Sequence, residues 1–283
     1  MARTVTFKGN PLTLAGRYLN QGESAPDFRV TAQDLSEVRL ANFQDKIKVL
    51  TSFPSLDTPV CDLQVKEFNS RATGFSKDVV VVGISKDLPF AQKRFCETFE
   101  IKNAVVVSDY KTASFGINYG LLIRELNLLA RAVVIIDKND LIRYIQVVPE
   151  VTRSLDYDDV LKGLEAVVKQ PQAAGKEGVA QKCLPCEGKV ASLPKERVEK
   201  LILGHRLWQV VEDKKIVKEL KFKDAQEAKY FLDLICLIAE EQGHHPTLTL
   251  SYNKLKITLS THAAGGLTDN DFIMAGIIDG LGE

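Results

Sequence analysis

The sequence predicts two folded units in series. The first is an α/β domain with a mixed sheet and flanking helices. The second is a smaller α+β domain of order α-β-β-α-β-β-α on an antiparallel sheet. Three observations carry this reading. Apolar strand-like runs alternate with helical segments over residues 1–169. The stretch Gln170-Pro-Gln-Ala-Ala-Gly-Lys-Glu-Gly178 then breaks the composition with small and polar residues, as linkers do. Beyond it, strands come in consecutive pairs between helices. The expected boundaries are 1–169, a linker at 170–181, and 182–283.

The first unit opens on a hairpin pattern, Thr4-Val-Thr-Phe-Lys-Gly-Asn-Pro-Leu-Thr-Leu14. Strand runs follow at 47–53, 79–85, 104–108 and 132–137, with helical segments near 60–75, 88–99, 112–119 and 156–169. Strands separated by helices imply partly parallel pairing. The turn signal Asp137-Lys-Asn-Asp140 before Leu141–Val148 instead implies an antiparallel hairpin at 132–148. This mixed order suits a thioredoxin-like domain. In the second unit Pro194 starts a helix to about Leu203, and strands follow at 206–211 and 215–222. A long helix at about 224–242 places Phe231, Leu234, Ile235 and Ile238 on one face, with Gly243 to end it. Strands at 247–252 and 255–260 flank an Asn253-Lys254 turn. A last helix at 268–281 starts from the N-cap Thr268.

Composition narrows the function classes. Lys plus Arg and Asp plus Glu are equal at 37 each, and each half of the chain is near neutral. Nucleic acid and anionic membrane are therefore not expected partners. Met1–Thr6 lacks the apolar core of a signal peptide, and no apolar run approaches a membrane span. The five cysteines are an odd number. Together these features argue for redox cysteines in a reducing, cytoplasmic compartment rather than a secreted disulfide scaffold.

The chemistry of the first unit centres on Pro54-Ser-Leu-Asp-Thr58-Pro-Val-Cys61, directly after the strand run 47–53. A cysteine in the first turn of a helix faces unpaired N–H groups and the positive end of the macrodipole, which favour the nucleophilic thiolate. Thr58, three residues earlier, can aim its hydroxyl at the sulfur or at a bound oxygen. Pro54 can shield the sulfur from water. Cys96 sits on a predicted helix beside Phe95 and in isolation reads as core.

The P-x-x-x-T-x-x-C pattern resembles the peroxiredoxins. With Ser85–Cys96, Ala130-Arg-Ala-Val-Val-Ile-Ile-Asp137 and the opening hairpin, it resembles their atypical two-cysteine thiol peroxidases. The resemblance covers about residues 1–169. It implies Cys61 as the peroxidatic cysteine and Cys96 as the resolving one, with Thr58 and Arg131 completing the peroxide site. It further implies peroxides as substrates, an intrachain disulfide intermediate and thioredoxin as reductant, with no bound cofactor.

The second unit has its own constellation. His244-His245-Pro246 follows the long helix, and Thr261-His262 ends the fourth strand of that unit, so antiparallel neighbours could bring these ends together. Grouped imidazoles suit proton transfer in both directions near neutrality. They could alternatively hold a metal, since Glu240 and His244 have i, i+4 spacing. Glu240–Pro246, Tyr252, Leu259–His262 and Gly265–Asp271 resemble the pterin-4a-carbinolamine dehydratases over about residues 182–283. The resemblance implies a metal-free dehydration of a 4a-hydroxytetrahydropterin to the quinonoid dihydropterin. His245 would lead as acid/base, and His244 and His262 would bind and polarise substrate. Asp271 would orient a histidine, and Pro246 and Thr261 would line the pocket. The alternative is a pterin-binding or dimerisation module. Cys236 reads as core of the long helix. Cys183-Leu-Pro-Cys186 reads as an ordered arm of this unit, with a redox dithiol as the rival. Both families imply a homo-oligomer.

Overall fold

The computed structural model describes residues 3–71, 74, 76–169, 183, 191–205 and 207–281. The chain divides into two compact units between Gly178 and Val179. The expected linker at 170–181 and Cys186 lie outside the described residues.

The first unit runs β1 (Thr4–Phe7), β2 (Asn10–Ala15), β3 (Arg29–Thr31), β4 (Glu37–Arg39), β5 (Ile47–Ser52), α1 (Pro59–Arg71), β6 (Val79–Ser85), α2 (Pro89–Thr98), β7 (Val105–Ser108), α3 (Ser114–Asn118), β8 (Leu122–Ile123), β9 (Leu128–Leu129), β10 (Ala132–Ile136), β11 (Ile142–Val147) and α4 (Tyr157–Lys169). Seven strands form one sheet in the order β11-β10-β5-β6-β7-β3-β4. The centre, β5-β6-β7, is parallel and reads as near-continuous Val, Ile and Leu, as buried parallel strands do. The flanks are antiparallel, including the expected β10–β11 hairpin. β1 and β2 form the expected N-terminal hairpin within a small sheet, β1-β2-β8-β9.

The sequence pattern missed β3, β4, β8 and β9. Each has three residues or fewer, too short to show alternation; β3 and β8 pair with distant strands, β7 and β2, and β4 and β9 pair with them at the sheet edges. Two core clusters flank α1. One joins Val49, Phe68, Val81, Val133 and Leu164, which come from β5, α1, β6, β10 and α4. The other joins Phe53, Cys61, Val65, Phe95, Cys96 and Val106.

The second unit runs α5 (Lys195–Ile202), β12 (Gln209–Val211), β13 (Lys215–Lys221), α6 (Ala225–Gln242), β14 (Thr247–Ser251), β15 (Lys254–Leu259) and α7 (Asp269–Asp279). This is the expected α-β-β-α-β-β-α order, on an antiparallel sheet β12-β13-β15-β14. Residues alternate along β13 and β15, and Ile216, Leu220, Leu255, Ile257 and Leu259 are buried. α6 packs on β14 and β15, and α7 on β15 and α6. Asp224 caps α6 through Glu227 N–H, and Gly243 closes it at φ +64°, a left-handed conformation that suits glycine.

Cys236 corrects the sequence reading. The buried stripe of α6 is Ala228, Phe231, Leu234, Ile235, Ile238 and Ala239, and position 236 turns about 100° away from Ile235 into solvent.

Candidate active sites

The first site is assembled by the sheet. β10 runs antiparallel to β5, and Ala132 pairs with Ser52. Arg131 therefore emerges at the end of β5 where the chain leaves for α1 and Cys61. Two residues 70 positions apart in sequence meet, with Arg131 Nη2 at 3.2 Å from Cys61 Sγ. Both are buried, Cys61 at 0% and Arg131 at 2% exposure.

Thr58 Oγ1 lies 2.8 Å from the same sulfur and 3.2 Å from the Ser55 carbonyl. Its single proton can serve either acceptor, and the sulfur is the nearer. The Cys61 N–H bonds the Thr58 carbonyl at 3.1 Å, which fixes the spacing of the pair. Pro54 is buried at the start of this loop.

Arg131 is itself held on all sides. Its Nε and Nη2 donate to the Val151 carbonyl at 3.2 and 3.1 Å, and its Nη1 donates to Gln64 Oε1. Gln64 is fully buried and donates in turn to Thr51 Oγ1 and to the Ser52 carbonyl. Sequence reasoning did not single out Gln64. The signal was present: positions 61, 64, 65 and 68 form the buried face of α1, and a glutamine in that stripe needs a buried partner.

Cys96 lies on α2 in the same apolar cluster as Cys61. Gln33 Nε2 donates to its sulfur at 3.2 Å, and neither Cys61 nor Cys96 is disulfide-bonded. Burial pushes the Cys96 thiol up from its ordinary value, against the Gln33 hydrogen bond.

In the second unit Thr247 pairs with Thr258, so the start of β14 and the end of β15 share one end of the sheet. His244 and His245 precede the first, and His262 follows the second. The three differ in setting. His244 is buried, and its Nε2 lies 2.8 Å from Asp271 Oδ1. His245 is exposed and lies 3.2 Å from Glu240. His262 is exposed on a short 3-10 turn, His262–Ala264. Glu240 pairs with His245 rather than with His244, because Gly243 ends the helix and breaks the i, i+4 geometry. Among the described residues no group of three His, Cys, Asp or Glu side chains is arranged to hold a metal.

Asp271 is fully buried. Its Oδ2 accepts from Thr261 Oγ1 at 2.9 Å and from the Thr268 N–H at 2.8 Å, while Oδ1 faces His244. Thr268 and Asp271 form the capping box of α7, so one carboxylate both starts the helix and orients the imidazole. Thr261 is buried, with its hydroxyl shared between Asp271 and Thr268. Pro246 is partly buried beside His245.

Cys183 is buried, with its N–H on Gln242 Oε1 and its sulfur 3.6 Å from the Asn270 carbonyl. His205 pairs with Asp279, which also accepts from Trp208 and from the buried Lys218. Burial alone would raise the Asp279 carboxyl, but these three donors together hold it below the usual range.

Comparison with known proteins agrees with this division. The Redoxin family model matches residues 20–161, and the model for pterin 4 alpha carbinolamine dehydratase matches 191–281. The thiol peroxidase of Oceanobacillus iheyensis is 46% identical over 160 residues, covering 56% of this chain and 97% of that protein. The thiol peroxidase of Aquifex aeolicus is 45% identical over 59% of this chain and all of its own. Among solved structures, a peroxiredoxin-like protein from Aquifex aeolicus aligns with TM-score 0.55 at 45% identity, over 59% of this chain and 98% of that one. A transcriptional coactivator/pterin dehydratase from Brucella melitensis is 30% identical over 32% of this chain and 99% of its own, with TM-score 0.32. The chain belongs to the Redoxin family, with a thiol peroxidase unit at its N-terminus and a pterin 4 alpha carbinolamine dehydratase domain at its C-terminus.

Proposed function

We propose that the first unit reduces hydrogen peroxide and organic hydroperoxides through Cys61 and Cys96, with thioredoxin as reductant. The observation that carries this is the convergence of Thr58 Oγ1 and Arg131 Nη2 on one buried sulfur. The Cys61 thiolate attacks the terminal peroxide oxygen and the O–O bond breaks. Water or an alcohol leaves, and the sulfur becomes a sulfenic acid. Arg131 and Thr58 stabilise charge on the transferring oxygens, and Gln64 positions Arg131. Cys96 then attacks the sulfenic sulfur and releases water to give the disulfide, which a dithiol such as thioredoxin reduces. The raised Cys96 thiol is a poor nucleophile while α2 is folded. Loosening of α2 brings it to water and to Cys61. Cys61→Ser should abolish peroxide turnover. Cys96→Ser should keep the first oxidation and lose thioredoxin-linked cycling. Full steady-state activity in Cys61→Ser refutes the assignment.

For the second unit the proposed reaction is dehydration of a 4a-hydroxytetrahydropterin. The C4a–OH bond breaks as an imidazole protonates the departing hydroxyl, and N5 loses its proton to a second group. His245 leads, and His244 and His262 bind and polarise substrate. Asp271 orients His244, with Thr261 holding Asp271. The exposed His245 and His262 suit a substrate arriving from solvent. Pterin absorbance followed with chelator present tests this. Loss of wild-type activity on chelation would favour a metal, and inactivity with every pterin tried would favour a binding or dimerisation module.

The two units should work separately, as cytoplasmic catalysts in a homo-oligomer. Fragments 1–169 and 180–283 should be soluble and retain their respective activities. A fragment active only when the other is added refutes independence.

A further inference from the structure

Asp87 lies between the two cysteines in sequence, on neither of the helices that carry them. It follows β6 and directly precedes Leu88, from which α2 starts. Its carboxylate turns back to the loop that leads into Cys61. Oδ1 accepts from Ser55 Oγ at 2.7 Å, and Oδ2 accepts from the Leu56 N–H at 2.8 Å and from Ser85 Oγ at 2.8 Å. The loop continues the chain of contacts. The Ser55 carbonyl accepts from the Thr58 N–H, and Thr58 Oγ1 lies against Cys61 Sγ.

The backbone of Asp87 is tied to the ends of β6 and β7. Its carbonyl accepts from Ser108 Oγ, and its N–H bonds Ser85 Oγ. Gln92, fully buried in the first turns of α2, donates to Ser85 Oγ at 3.0 Å and to the Val107 carbonyl at 2.8 Å. The carboxylate thus holds the loop that aims Thr58 directly, and reaches the foot of the helix that bears Cys96 through Ser85 Oγ, which Gln92 shares. A carboxylate with three donors makes charge-assisted bonds, stronger than those between neutral groups.

We propose that Asp87 is a positioning residue that couples the two halves of the peroxidase cycle. It holds the Ser55–Thr58 loop in the arrangement that presents Thr58 to Cys61, and in the same contacts it holds the start of α2 folded. Peroxide attack needs this latched arrangement. Disulfide formation needs it released, because Cys96 must leave its place on α2. The inference rests on the roles proposed above for Cys61 and Cys96.

The geometry predicts opposite effects on the two steps. Asparagine keeps the size of the side chain but is neutral, so the bonds lose their charge assistance and the Ser55 hydroxyl must turn from donor to acceptor to keep its contact. In full-length Asp87→Asn, oxidation of Cys61 by stoichiometric peroxide should slow about tenfold to a hundredfold, as loss of charge-assisted hydrogen bonds implies. Conversion of the sulfenic acid to the Cys61–Cys96 disulfide should accelerate. Rapid quenching with a thiol alkylator, followed by mass spectrometry, reads both rates in one experiment. Ser55→Ala, which removes one donor and leaves the carboxylate, should move both rates the same way by less. A residue with only a structural role would lower both rates together, in step with thermal stability, and that outcome overturns the proposal, as do unchanged rates in both variants. Should wild-type protein form neither sulfenic acid nor disulfide with peroxide, the reading of Cys61 fails, and this inference with it. Normal oxidation in wild type with no divergence of the two rates in the variants overturns the Asp87 role alone.

Discussion

The Cys61 site and the His244 site solve opposite problems. Around Cys61 the sulfur and its charged partner are fixed before substrate arrives, and Thr58 stands at the exposed side. The sulfur is fully buried, Arg131 makes four hydrogen bonds, and its partner Gln64 is buried and bonded in turn. Around His244 one imidazole is fixed by Asp271, while His245 and His262 face solvent. The difference suits the reactions proposed for the two units. A peroxide transfers one oxygen to one sulfur, so charge develops at one point and preorganised donors repay their burial. A pterin is a large ring whose proton donor and acceptor stand at different atoms, so the site must stay open. A closed site should be sensitive to every member of its network. An open one should be sensitive mainly to the residue that fixes its single buried group.

The largest effect should come from breaking the closed site. Arg131→Met removes the charge facing the sulfur, and the rate of Cys61 oxidation should fall about a hundredfold to a thousandfold. It also leaves Gln64 Oε1 and the Val151 carbonyl without donors, so urea unfolding of the first unit should show a loss of about 2–4 kcal/mol. Wild-type-like oxidation kinetics would show that the closed network is structural only.

Asp271→Asn should be next. The amide cannot accept at both the His244 and Thr268 sides, so its NH2 faces the imidazole and selects the other tautomer while α7 keeps a capping side chain. We expect dehydratase kcat to fall about tenfold to a hundredfold, with a changed pH profile, as for second-shell partners of functional histidines. A kcat within twofold of wild type would place the work on the exposed histidines alone.

His245→Ala sharpens the contrast. Its pair with Glu240 is exposed, so unfolding stability should change by less than about 0.5 kcal/mol. Dehydratase activity should fall severalfold, with His244 and His262 supplying the remainder. A stability loss as large as that of Arg131→Met would show that the second site is not open.

The smallest effect concerns a brace of the first site. Glu150 accepts from Thr6 and Thr152 hydroxyls and from the N–H groups of Lys8 and Gly9, tying the β1–β2 hairpin to the loop whose Val151 carbonyl holds Arg131. The Thr152 hydroxyl and then the Gly9 N–H lead the bonds that hold this carboxyl well below the usual range. A depressed folded pKa adds stability that is complete above the ordinary carboxylate range and is lost as pH falls toward the folded value. Glu150→Gln should therefore flatten the acid limb of the first unit's stability below that range, seen as a shallower fall of Tm with pH. An unchanged acid limb would remove Glu150 from the brace.

Legibility differed between the units for a physical reason. The buried parallel strands β5, β6 and β7 and the amphipathic helix α6 announce themselves, because burial selects apolar residues at the period of the element. β3 and β4 do not, since three-residue segments containing arginine and glutamate carry no period. Cys236 is apolar and stands among apolar neighbours, but it follows Ile235 by one position and so falls off the one buried stripe of α6. The Glu240–His244 spacing failed at Gly243, whose left-handed backbone sends the next two residues off the helix axis. The bond from Thr261 to Asp271 leaves no mark in the local pattern, because the two residues lie ten positions apart across a turn.

By itself the sequence determined the element order of both units, the strand-to-helix setting of Cys61 with Thr58 one turn before it, and the clustering of histidines at helix and strand ends. These follow from local periodicity and fixed spacing along one chain. Only the tertiary structure decided that Gln64 holds Arg131, that Asp87 joins the Thr58 loop to α2, and that Asp271 chooses His244 among three histidines. Each of those contacts joins residues brought together by strand pairing or helix packing. Hydrogen-bond direction there depends on positions that no local spacing encodes.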